Sequence, residues 1–127
     1  MADLTTTDGY QYTFNPKSVV IITDHDAVTG EAVTCVYGVG PGWLKVGEPV
    51  DGFLDRVGIS ANFAKLTRGN GAPIWIAGAA VASIRAPMPG QYTPTIQTLV
   101  AVGKVTQGVE EDAAAAKAEI NAHGGAL

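Results

Sequence analysis

The chain has 127 residues, 46% of them hydrophobic and only 16% charged, with a formal net charge of −4 and a single cysteine. That length suits one domain or two very small ones, and one cysteine excludes a disulfide framework within the chain. The 8 basic residues are scattered and not interleaved with aromatics, which excludes a nucleic-acid-binding patch.

The first ten residues are polar, with Asp3, Asp8 and a threonine run. They lack a basic n-region and an apolar run, so no signal peptide is expected. The longest apolar stretches are about six residues, far short of the roughly 20 that cross a bilayer. A soluble protein with no membrane insertion is the expectation.

Tyr10-Gln11-Tyr12-Thr13-Phe14 alternates apolar and polar residues, the pattern of a half-buried strand. Asn15-Pro16 breaks it. Ser18–Thr23 carries the β-branched run Val19-Val20-Ile21-Ile22 and predicts a second strand. Asp24–Gly30 reads as a loop, and 32–39 as a third strand. A glycine-rich bend at 38–42 returns the chain as a fourth strand, Trp43–Val46. Val50, Phe53, Leu54 and Val57 then recur at i, i+3, i+4 and i+7, one face of a helix. Pro49 suits its first turn and Gly58 its C-terminal cap.

The second half runs in the same order. Ala64–Arg68 predicts a strand, Gly69-Asn70-Gly71 a tight turn and Ile74–Ile76 a strand. Further strands are expected at 79–85, 96–102 and 104–109, with a stiff proline-rich loop at 87–94. Glu110–His123 predicts a helix whose three leading acids suit the positive end of the helix dipole. Gly124-Gly125 stops it.

At an offset of about 62 residues the halves align. Leu4-Thr5 falls on Leu66-Thr67, Asp8-Gly9 on Asn70-Gly71, and Tyr12 and Phe14 on Ile74 and Ile76. One residue further along, Val46 falls on Val109, Glu48 on Glu111 and Val57 on Ile120. The predicted fold is therefore α+β and mostly β. Two tandem β-meander or small-barrel modules, 1–60 and 63–123, each end in a short helix and pack as one domain. A single module of this size buries little core and leaves open strand edges, which a second copy can cover.

The stretch Lys65-Leu66-Thr67-Arg68-Gly69-Asn70-Gly71, the strands carrying Val81 and Ile84, and Val109-Glu110-Glu111 before a helix with Ile120 resemble the small flagellar FlbD/SwrD family. The first half departs from the family's start but keeps Asn15-Pro16, which the second half replaces with Ala77-Gly78. The resemblance implies a non-enzymatic accessory role in motility.

Candidate chemistry is sparse. Asp24, His25, Asp26 and Glu31 form the best cluster of ligating side chains. An EF-hand register counted from Asp24 places Val28 and Thr29 where an oxygen ligand and glycine are needed, so a solvated loop is the expectation. Gly38–Gly42 is interrupted by Pro41 and leads into a strand, unlike a phosphate-binding loop. No Gly-x-Ser-x-Gly occurs. Glu110, Glu111 and Asp112 read as helix capping. Cys35 lies in a strand-like stretch and reads as a small buried apolar residue.

Trp43, Trp75, Met88 and Tyr92, with Tyr37, are the candidate interaction surface. Trp75 alternates with Ile74 and Ile76; if those two point inward, Trp75 faces solvent or a partner. The expected function is non-enzymatic, without cofactors. The chain is read as a structural or protein-interaction subunit that forms homo-oligomers or docks on a larger assembly, flagellar by resemblance. A phage or virion accessory subunit and a small-ligand or metal-binding regulator built on the Asp24–Glu31 loop are the alternatives.

Overall fold

Two runs of five strands and a helix make up the computed structural model, which describes residues 1–127. The fold is α+β and mostly β. Two compact units divide the chain, Met1–Ala61 and Asn62–Leu127. No helix is long and apolar enough to cross a membrane.

In the first unit, β1 (Ala2–Thr5) and β2 (Gln11–Phe14) form an antiparallel hairpin with Leu4 opposite Tyr12. Its turn is closed by the Thr6 N–H donating to Tyr10 O at 2.8 Å. β3 (Ile21–Thr23), β4 (Thr34–Gly40) and β5 (Gly42–Val46) form an antiparallel meander. An isolated bridge, Thr6 to Val46, ties the hairpin to the meander. Helix α1 (Val50–Val57) follows. It buries Val50, Phe53 and Leu54, with Val57 half-buried, so the i, i+3, i+4 stripe is its packed face. Phe53 stacks on Phe14 with ring centroids 6.2 Å apart. Gly58 ends the helix in the left-handed region at φ 79, its N–H and that of Ile59 both reaching the Leu54 carbonyl.

The expected strand at Ser18–Thr23 is shorter than its β-branched run. Pro16–Ser18 is a 3₁₀ turn, and the Asn15 Oδ1 accepts from the Lys17 N–H at 3.0 Å. Proline presets the helical φ and asparagine caps the turn, which outweighs local strand propensity.

In the second unit, β6 (Phe63–Thr67) and β7 (Pro73–Ala77) form the hairpin. Its turn has the Arg68 N–H on Ala72 O at 2.8 Å and the Asn70 Oδ1 accepting from the Ala72 N–H at 3.0 Å. A 3₁₀ turn at Gly78–Ala80 leads to β8 (Val81–Arg85), and β9 (Thr98–Val102) and β10 (Val105–Val109) complete a meander in the order β10-β9-β8. The bridge Arg68 to Val109 ties hairpin to meander. Helix α2 (Ala113–Ala122) buries Ala116 and Ile120.

Helix α2 starts later than the sequence predicts. Asp112 is its N-cap, accepting from the Ala115 N–H at 2.8 Å. Of the three acids expected to cap it, Glu111 is turned elsewhere: its carboxylate holds Thr67 of β6.

Candidate functional site

Trp43 stands near the tip of the β4–β5 hairpin, one residue after Gly42, whose φ of 71 makes the turn. Along β5, Leu44 and Val46 are buried, so Trp43 and Lys45 point to the other face. Trp43 pairs in register with Tyr37, the two rings 5.3 Å apart and tilted by 41°. With Trp43 still 45% exposed, the pair is a surface aromatic patch whose rotamers are restrained by their mutual contact. The strand bulges between Tyr37 and Gly40, where Gly38 lies against the backbone of Ser18.

Met88 and Tyr92 lie on the loop between β8 and β9 and are 65% and 39% exposed. A turn holds them: the Gln91 N–H donates to Met88 O at 3.0 Å, and Gln91 Oε1 accepts from the Met88 N–H at 3.2 Å. Ile96 pins the loop's far end, seated between Gly69 and Gly108, where side chains would collide with it. An open cleft of about 360 Å³ lies beside it, lined by Arg68, Asn70, Tyr92, Thr93 and Gln107 among others.

Trp75 does not belong to this exposed set. It is 8% exposed, buried like its neighbours Ile74 and Ile76 though less completely. Lys65, directly opposite in the β6–β7 register, lays its ammonium over the Trp75 ring at 5.3 Å. Alternation does not leave Trp75 open, because a long lysine side chain lies over the indole on the outward face while keeping its charge in water.

The Asp24–Glu31 loop is organised around Lys45. Its ammonium lies 3.1 Å from Asp26 Oδ2 and 3.0 Å from Glu31 Oε1, and both contacts hold it above the ordinary lysine range. Asp26 Oδ1 accepts from the N–H groups of Val28 and Thr29 at 2.8 and 3.2 Å. These two backbone donors, then Lys45, lower the Asp26 carboxyl to about 2. Asp24 pairs instead with His25 Nδ1 at 2.9 Å. The carboxylates are thus committed to protein donors, and no group of three or more His, Cys, Asp or Glu side chains gathers in metal-holding geometry.

Cys35 is 4% exposed, and burial raises its thiol above the ordinary range. Its Sγ lies 3.8 Å from the Val33 carbonyl oxygen. His123 Nδ1 sits 2.8 Å from the Glu119 carbonyl oxygen at the end of α2.

Two glutamates carry more of the architecture than their sequence context announces. Glu48 forms a two-pronged ion pair with Arg56, at 2.8 Å to Nε and 2.7 Å to Nη2, and the same Nη2 donates to Asp3 O. This raises the Arg56 pKa further. Glu111 accepts from both the N–H and the hydroxyl of Thr67 at 2.9 and 2.8 Å. The alignment of Glu48 with Glu111 was the available signal; where each carboxylate goes depends on residues distant in sequence. No family model, curated protein or solved structure matches the chain.

Proposed function

We propose that this protein is a non-catalytic interaction subunit that associates with further copies of itself through its exposed aromatic patch. The observation that carries the reading is the Tyr37–Trp43 pair: two rings in tilted contact across a hairpin, with Trp43 45% exposed. Tryptophan and tyrosine dominate the energetics of protein contacts because they bury large area at small entropic cost. Met88 and Tyr92, held by a turn in a proline-rich loop, supply a second patch of the same chemistry. The low charged fraction removes much of the repulsion and desolvation cost that oppose such contacts.

The flagellar and virion readings are versions of this one and differ in the assembly that is met. Light scattering on size-separated protein over a wide concentration range tests the common core. The expected result is a mass that rises with concentration, persists at high salt, and falls toward the monomer in Trp43→Ser. A monomer throughout, or an assembly indifferent to Trp43→Ser, overturns the reading.

A further inference from the structure

The two units repeat one hydrogen-bond scheme, and one difference between them leaves a seat unfilled. The bridges Thr6–Val46 and Arg68–Val109 match, as do the turn bonds from Thr6 to Tyr10 and from Arg68 to Ala72. The Thr34 hydroxyl donates to the Glu48 carbonyl, and the Thr98 hydroxyl donates to the Glu111 carbonyl. Glu48 and Glu111 therefore hold equivalent places, just before α1 and just before α2, and Thr5 is the counterpart of Thr67.

The carboxylates then part company. Glu111 sits on the N–H and hydroxyl of Thr67. Glu48 is drawn off by Arg56. The helix position equivalent to Arg56 is Glu119 in α2, an acid that offers Glu111 no such alternative. Thr5 is exposed. The Thr6 N–H is spent on Tyr10 within the hairpin, so the alternation of an antiparallel pair turns the Thr5 N–H to the opposite edge. There it opens on a cleft of about 400 Å³ whose walls include Asp3, Thr5, Val46, Glu48 and Arg56.

We propose that this cleft is a carboxylate-binding site, taking a glutamate or aspartate side chain from a partner protein. The incoming carboxylate accepts from the Thr5 N–H and hydroxyl as Glu111 does from Thr67, with the Arg56 guanidinium on the wall. Glu48 stays on Arg56, and the Asp3 carboxylate on the same wall accepts from the Thr13 hydroxyl at 2.8 Å, so the ligand enters beside one ion pair and one hydrogen-bonded acid. A single charge-assisted contact of this kind is an anchor within a larger interface. In that sense the site rests on the interaction reading above.

The test is a titration of the isotope-labelled full chain with the capped peptide acetyl-Ala-Glu-Ala-amide, followed by amide NMR. The Thr5 N–H and Arg56 Nε–H resonances should move saturably, and the glutamine peptide should leave them in place. Thr67 should stay still, because Glu111 already fills its seat. Thr5→Val should weaken binding about tenfold, the worth of one hydrogen bond to a charged group. Glu111→Ala should open a second seat and make Thr67 respond. No shift at Thr5, an equal response to the glutamine peptide, or equal movement of Thr67 in the parent protein overturns the site. If Glu111→Ala does not fold, Thr5→Val decides. Loss of the peptide response with self-association intact sinks this site alone; loss of self-association with the response intact sinks the aromatic patch alone.

Discussion

Replacing Gly38 by alanine drives a methyl group into the chain just before β3. The new Cβ would lie 2.1 Å from the Ser18 carbonyl oxygen, 3.1 Å from its carbon and 3.2 Å from the Val20 nitrogen. An ordinary contact begins at 3.4 Å, so one of two backbone segments must retreat by more than an ångström. The Val20 N–H to Tyr37 O bond, 3.0 Å long, lies beside the collision and is the first to give. The φ of 116 at Gly38 adds strain for any residue with a Cβ. Conformational strain costs about 1–2 kcal/mol, relief of the overlap about 1–3 kcal/mol and the lost hydrogen bond about 1 kcal/mol. The total is about 3–6 kcal/mol, a large share of the roughly 5–15 kcal/mol that holds a domain together. Gly42→Ala is the matched control: its φ is 71 but nothing lies within 4 Å of the added carbon. It should lose only the strain component, about 1–2 kcal/mol. Urea unfolding of the two variants, with amide exchange at Val20, reads the difference. Equal losses would refute the argument that close approach to Ser18, rather than φ alone, demands glycine at position 38.

Three further outcomes are expected. Asp26 is depressed from the ordinary 3.8 to about 2, chiefly by the N–H groups of Val28 and Thr29 and then by Lys45, so its contribution is full above pH 4 and fades as pH falls toward 2. The stability gap between the parent protein and Asp26→Asn, measured by urea unfolding at stepped pH, should close over that window; a gap unchanged at pH 2 contradicts the assignment. Thr98→Val keeps the shape of a fully buried side chain but strips the Glu111 carbonyl of its donor, costing about 1–3 kcal/mol; a thermal midpoint equal to that of the parent would show that the carbonyl finds another donor. Cys35, buried and with a raised pKa, should react with a thiol-specific chromophore only at the rate of unfolding; fast modification of the native protein would expose that strand as open.

The element order was legible because its signals are local. The Asx-Gly turns, the alternation in Tyr10–Phe14, the helical spacing of Val50, Phe53 and Leu54, and the glycine at position 58 each act within a few residues. β1 was poorly marked, since Ala2–Thr5 is polar on its open face and announces itself only through its match to Leu66-Thr67. The surface was harder to read. Trp43 and Met88 are exposed, but Trp75 is not, with Lys65 lying over its ring from the paired strand. Glu111 looked like a capping acid beside its helix and instead reaches back to Thr67, a partner 44 residues away. Nothing in a window of ten residues separates those two fates of a carboxylate.

The bridges Thr6–Val46 and Arg68–Val109 also bear on how fast each unit forms. Hairpins such as β1–β2 and β9–β10 close over a few residues and can form early. Each bridge joins residues about forty positions apart, so the entropy of that large loop must be spent before the contact returns anything. The nucleus of each unit should therefore be meander plus helix, with the N-terminal hairpin docking late. Substitutions at Leu4 or Leu66 should speed unfolding more than they slow folding, whereas those at Val36 or Val100 should do the reverse.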